Sequence, residues 1–198
     1  MKPMESKRLV VTPVTLDDAP CIVEAIQTSA LQNLSFFSGK DLVTVEEEQA
    51  YLGRAMSDPS ELLYLIVCKE GRKLVGTVGL HNIDIVNRNA RLGISIFRPE
   101  NRGKGYATEA LELLMAHAFT GHRLDNAGNT FHKLYLNVFV DNERAQRLYA
   151  GMGFKKDGIL RQHYLLNGEW RDMVQMSRLK WEWERLPGLS QYNLEPSS

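Results

Sequence analysis

Apolar positions along this chain alternate between the two-residue spacing of strands and the three-to-four-residue spacing of helices. Arg8-Leu9-Val10-Val11-Thr12-Pro13 is a short β-branched run and reads as a first strand. Pro13, which lacks a ladder donor, places it at a sheet edge, and residues 1–6 read as a loose lead-in. Thr15-Leu16-Asp17-Asp18 reads as a helix start with Thr15 as cap, and Ile22, Val23, Ile26 and Ala30 supply the buried face that follows. Residues 30–43, with Phe36, Phe37 and Gly39, carry no period and read as a loop. Thr44-Val45-Glu46-Glu47 is a capping box that opens a second helix, and Asp58-Pro59 ends it. The acid run Glu46-Glu47-Glu48 answers the positive end of that helix, a cationic substrate being the alternative.

Three apolar runs follow, Leu62 to Cys68, Leu74 to Leu80 (continuing to Val86) and Arg91 to Phe97, separated by the polar turns Glu70-Gly71-Arg72 and Asn87-Arg88-Asn89. They predict an antiparallel meander. Ala107, Ala110, Leu111, Leu114, Met115 and Ala118 then mark one face of a helix over 106–118. An exposed loop (121–130), a strand (133–139) and a helix (142–151) come next. Phe154 to Leu166 and Glu169 to Leu179 flank Asn167-Gly168, a strong hairpin signal. The tail from Leu186 reads as mobile. Helices interspersed with strands predict an α/β fold: a mixed, mostly antiparallel sheet with helices on both faces.

Composition narrows the function classes. The 198 residues suit one domain, here 7–184. The 24 Lys and Arg balance 24 Asp and Glu, so no general basic surface exists for nucleic acid and a polyanion must be held locally. No run reaches the ~18 apolar residues of a membrane span. No signal peptide precedes Lys7-Arg8, and the cytoplasm is the expected location. Cys21 and Cys68 read as reduced core residues, and no metal site is expected.

The candidate chemistry centres on Arg102-Gly103-Lys104-Gly105-Tyr106-Ala107-Thr108, which follows Leu92-Gly93-Ile94-Ser95-Ile96-Phe97 and opens a helix. A strand, a glycine turn and a helix N-terminus form an anion site, because the first turn of a helix has unpaired N–H groups and a dipole favouring negative charge. Arg102 and Lys104 add positive charge there. The spacing is neither a Walker loop nor a dinucleotide fingerprint.

Arg102, Gly105 and Ala107 match R-x-x-G-x-A, and this resembles the pyrophosphate loop of the Gcn5-related N-acetyltransferase (GNAT) superfamily. Downstream, Asn142 to Phe154 matches N-x-x-A-x-x-L-Y-x-x-x-G-F, similar to the superfamily's helix with the catalytic tyrosine. Gly79 to Asp84 and Trp181-Glu182-Trp183 resemble the branch of ribosomal-protein and spermidine N-acetyltransferases. The resemblance covers residues 7 to 184. It implies a sheet of about seven strands, splayed in the middle, and a direct attack of an amine on acetyl-CoA. The pantetheine arm would lie along Ser95, Ile96 and Phe97, the diphosphate on residues 102–108, and Tyr149 would be the general acid. Asn142 would be helix cap, cofactor partner, or both.

The chain departs from that branch at Arg91, where the spermidine-acetylating relatives usually carry a glutamate after an alanine. His81, Asp84 or a water relay remain as proton acceptors, with a hydrogen-bonded strand histidine as the plainer role for His81. The 30–43 loop holds a single acid, Asp41, where a polycation site wants several. The expected acceptor is therefore a peptide or protein N-terminus or a small amine, with polyamine acetylation as the alternative. Two further readings are a non-catalytic CoA-binding protein on the same fold and an enzyme accepting longer acyl groups. Relatives are often dimers, although no stripe in this sequence marks an interface.

Overall fold

The computed structural model describes residues 2–27, 43–122, 124 and 128–185. Ala30, the Phe36–Asp41 segment, the centre of the 121–130 loop and the tail from Leu186 lie outside the described residues. The chain forms two compact units, Met1–His81 with Gly93–Leu114, and Asn82–Leu92 with Met115–Ser198.

Among the described residues eight strands form one sheet. They are β1 (Met4–Glu5), β2 (Leu9–Pro13), β3 (Leu62–Cys68), β4 (Lys73–Asp84), β5 (Asn89–Ile96), β6 (Lys133–Phe139), β7 (Lys155–Leu166) and β8 (Glu169–Leu179), in the order β1-β2-β3-β4-β5-β6-β8-β7. The helices are α1 (Ala19–Gln27), α2 (Val45–Ser57), α3 (Tyr106–Ala116), α4 (Glu143–Gly151) and α5 (Lys180–Glu184). The ladder β5–β6 is parallel, and β1–β2, β2–β3, β3–β4, β6–β8 and β7–β8 are antiparallel. This is the mixed, mostly antiparallel architecture that the sequence pattern predicts, with β1 as a strand beyond the expected seven.

In the first unit Ile22, Ala25 and Ile26 of α1 pack with Val14, Leu52, Leu65 and Phe97. Each aliphatic side chain buried there contributes roughly 1.5–3 kcal/mol. Helix α2 begins as its capping box requires: Thr44 Oγ1 accepts from Glu47 N (3.2 Å) and Glu47 Oε2 from Thr44 N (3.2 Å). The acid run divides, because Glu48 turns inward and is buried, and that burial raises its pKa. In the second unit β6 buries Leu134, Leu136 and Val138 on one face, and β8 buries Met173, Val174 and Met176.

Four expectations need correction. Residues 1–6 are not loose: Met4 is buried and pairs with Val11. Strand β2 is consequently not an edge, having β1 on one side and β3 on the other. Pro13 is tolerated because β1 spans only Val10 and Val11, so no donor is needed beyond it. Helix α3 ends at Ala116 and is followed by a π-turn, His117–Gly121, that keeps Ala118 and Phe119 buried. Cys21 is exposed rather than in the core, its thiol donating to Asp18 O at 3.0 Å, whereas Cys68 is buried.

Candidate active site

The glycine loop takes its shape from residues far away in sequence. Gly103 (φ 76°) and Gly105 (φ 80°) both occupy the left-handed region, where a Cβ is disfavoured. Glu109 N donates to Gly105 O at 3.1 Å, so the N–H groups of Gly105, Tyr106, Ala107 and Thr108 precede the bond that starts α3. Arg8 straps the loop from β2's approach. Its Nη1 donates to Lys104 O (2.9 Å), its Nε to Glu109 Oε2 (2.7 Å), and its guanidinium lies 5.0 Å from the centre of the Tyr106 ring. Glu109 also accepts from Arg8 N at 3.1 Å and from Ser6 Oγ. Burial pushes the Glu109 carboxyl up, but the hydrogen bonds from Ser6 and Arg8 outweigh it and hold the group below its usual pKa. Sequence reasoning missed Arg8 and Glu109, since nothing local to either residue signals a pairing across 101 positions.

The two loop cations differ. Arg102 Nη2 donates to Phe97 O at 3.3 Å, tying the end of β5 to the loop. Lys104 forms no ion pair among the described residues. On β5 itself, Phe97 N donates to Val75 O at 3.0 Å and the Phe97 ring is buried. Ser95 O lies on the same side, against Gly76. Strand alternation therefore turns the backbone N–H and C=O of Ile96 the opposite way. The β5–β6 ladder pairs Asn89–Lys133, Ala90–Leu134 and Arg91–Tyr135. Of the three residues expected along a pantetheine arm, Ile96 has its backbone turned from β4, while both backbone groups of Phe97 are engaged.

In the second unit Asn142 caps α4: its Oδ1 accepts from Ala145 N at 3.1 Å. This is the cap role, and it leaves the amide Nδ2 uncommitted to that bond. Asn142→Ala is expected to cost about 1 kcal/mol and to lower Tm by a few degrees, measurable by calorimetry. Tyr149 stands two turns along the helix. Its ring meets Phe154 edge-on at 6.0 Å, and its hydroxyl has no hydrogen-bond partner among the described residues. Burial raises its pKa to about 12. The far end of α4 is fixed by the buried Arg178, whose Nη1 donates to Met152 O, and by Gly153 (φ 83°), at which a Cβ would lie 3.1 Å from the guanidinium carbon.

The remaining candidates separate cleanly. Asp84 is committed to the turn after β4, accepting from Asn87 N (2.7 Å) and Asn87 Nδ2 (2.7 Å), and side-chain and backbone bonds from Asn87 lower its pKa. It is therefore a poor proton acceptor. His81 Nδ1 contacts Glu61 Oε2. Arg91 is half-buried on β5 and forms no ion pair or side-chain hydrogen bond among the described residues.

Residues 8–155 match the acetyltransferase (GNAT) domain family, and the chain belongs to it. It is an acetyl-CoA-dependent N-acetyltransferase. It is 26% identical over 168 residues to the uncharacterised N-acetyltransferase YoaA of Bacillus subtilis (strain 168), covering 83% of this chain and 89% of that one. It is 38% identical over 119 residues to the spermidine N(1)-acetyltransferase of Escherichia coli (strain K12), covering 60% of this chain and 59% of that one. The crystal structure of spermidine N-acetyltransferase from Vibrio cholerae, in complex with CoA and spermine, shares the fold at TM-score 0.76 and 24% identity, covering 91% of this chain and 100% of that one.

Proposed function

We propose that this enzyme acetylates a primary amine carrying little further positive charge, a peptide or protein N-terminus or a small amine. The observation that carries this reading is Arg91, a cation on β5 with no partner among the described residues. A guanidinium with no counter-ion among the described residues disfavours a polycationic acceptor and suits an amine whose remaining groups are neutral or anionic.

The residues on the page fit the acetyl donor. The N–H groups ahead of the first α3 bond, with the two left-handed glycines and Lys104, are the donor set for its diphosphate. Ser95, Ile96 and Phe97 are proposed to border its pantetheine arm, with Ile96 supplying the backbone pairing. Arg102 contributes charge while holding the end of β5, and Tyr106, Ala107 and Thr108 present their N–H groups. The donor, when bound, supplies an acetyl thioester activated for attack by nitrogen. Tyr149 donates a proton as the thiolate leaves, and a backbone N–H of β5 polarises the thioester carbonyl. Tyr149 also argues against a binding-only protein, which has no use for a half-buried phenol whose hydroxyl has no hydrogen-bond partner among the described residues. The free thiols of Cys21 and Cys68 support a cytoplasmic location.

The test is thiol release from acetyl-CoA with spermidine, spermine, a small monoamine and short peptides bearing a free α-amine. Peptide or monoamine turnover above that of spermidine is expected. The second reading, polyamine acetylation, is favoured by the 38% identity to the Escherichia coli spermidine N(1)-acetyltransferase, and strong spermidine turnover establishes it in place of the first.

A further inference from the structure

We propose that Arg8 is a positioning residue for the acetyl donor: it shapes the loop that takes the diphosphate, and it neutralises Glu109, an anion on the same helix turn. The proposal rests on the acetyl-CoA reading of residues 102–108 given above. Every residue it uses belongs to the first compact unit.

Arg8 is itself held by the sheet. It directly precedes β2, its carbonyl accepts from Lys69 N at 2.8 Å, and its own N–H donates to Glu109 Oε1 at 3.1 Å. The guanidinium is divided between two partners. Nε and Nη2 both meet Glu109 Oε2, the first at 2.7 Å, and Nη1 donates to Lys104 O at 2.9 Å. Ser6 Oγ donates to Glu109 Oε1. Both carboxylate oxygens are thus engaged twice, which is about all they can accept. A planar, five-donor fork joins the carboxylate to the loop carbonyl in a way that a point charge cannot.

The loop end of this strap falls where the chain is otherwise loosest. Lys104 stands between Gly103 and Gly105, both left-handed, and glycine loses the most conformational freedom on being ordered. A Cβ at Gly105 would lie 3.3 Å from Arg8 Nη2, so the guanidinium rests directly on the loop. Tyr106, the first residue of α3, has its ring 5.0 Å from the guanidinium and its hydroxyl 3.6 Å from Cys68 Sγ. The N–H groups that meet the diphosphate are therefore ordered before the donor arrives, and binding is spared that cost.

Charge is the second part of the role. Glu109 lies in the first turn of α3, and its side chain is 14% exposed. A bare carboxylate there opposes an anion at the same helix end, and Arg8 cancels it. Partly exposed ion pairs add little to stability, so the consequence of this one falls on donor binding.

Acetyl-CoA affinity is measured by calorimetry for wild type, Arg8→Met and Arg8→Met/Glu109→Gln, together with kcat and both KM values using spermidine and a free α-amine peptide. Arg8→Met keeps most of the aliphatic stem. It is expected to bind acetyl-CoA about tenfold more weakly, with kcat at saturating donor and KM for the amine within about twofold of wild type. The double variant is expected to bind about threefold more tightly than Arg8→Met, because the stranded carboxylate is gone, and that gap closes as salt rises to about 0.5 M. A merely structural role predicts the reverse, since the second substitution strips the turn of a further set of bonds. Arg8→Met affinity within about twofold of wild type, or a double variant weaker than Arg8→Met, overturns the proposal. If Arg8→Met does not fold, Arg8→Lys replaces it: the charge stays and the fork is lost, a loss of about threefold is expected, and wild-type affinity overturns the proposal. A wild type that binds acetyl-CoA but acetylates neither amine overturns the catalytic reading, while the affinities still decide the role of Arg8. A wild type that binds no acetyl-CoA overturns both.

Discussion

Tyr149→Phe is expected to lower kcat by about 100-fold and to leave acetyl-CoA affinity unchanged. The substitution removes one oxygen that has no hydrogen-bond partner among the described residues, and it keeps the ring that packs edge-on against Phe154. Little stability is at stake, so a large kinetic loss with an unchanged Tm identifies a proton donor. The raised pKa of about 12 fixes the pH dependence. A phenol whose folded pKa lies above its unfolded value contributes stability that is fully present below ~10 and is lost as pH rises through the folded value. At neutral pH it is protonated in both states and is ready to donate. As an isolated transfer, passing its proton to a thiolate of reference pKa ~8.5 is uphill by several kcal/mol. In the proposed role, donation is therefore expected to be concerted with proton release from the new amide nitrogen, a far stronger acid. The corresponding measurement is kcat against pH with saturating substrates: Tyr149 produces no alkaline limb below about pH 10. A Tyr149→Phe enzyme with wild-type kcat overturns the assignment.

The parts legible in the sequence are those whose physics is local. Thr44 and Glu47 are three residues apart and close on each other as a capping box must. Asn167 and Gly168 adopt φ 51° and 81°, the left-handed pair that a two-residue hairpin turn needs. Gly103 and Gly105 were readable for the same reason, since only a residue without Cβ adopts their backbone cheaply. The supports of the site were not readable. Arg8 reaches Glu109 and Lys104 across about a hundred residues, and Arg178 reaches back to Met152. Each pairing exists only once strand order and register are fixed. The same holds for Glu61 and His81, which meet because β3 and β4 pair Leu62 with Leu80; a shift of one residue turns them to opposite faces. Met4 escaped notice because a two-residue strand has no period to detect.

Arg91→Glu is expected to raise the ratio of spermidine to peptide turnover by about 10–100-fold. Arg91 pairs in register with Tyr135 at the end of the β5–β6 ladder, and its guanidinium has no counter-ion among the described residues. For an acceptor ammonium ~8 Å away and an effective dielectric near 20, each charge pair is worth about 2 kcal/mol, and reversing the sign changes it by about twice that. Salt reduces this by roughly half at physiological strength, where the screening length is ~8 Å. A peptide brings a single ammonium, which enters the reaction deprotonated, so it gains less than spermidine, whose other ammonium groups stay charged. The gain in the ratio therefore shrinks as salt rises from about 0.05 to 0.5 M, and it resides in KM more than in kcat. Thiol release with both acceptors over that range measures it. A ratio within about twofold of wild type places Arg91 away from the acceptor and removes the basis for preferring peptides over polyamines.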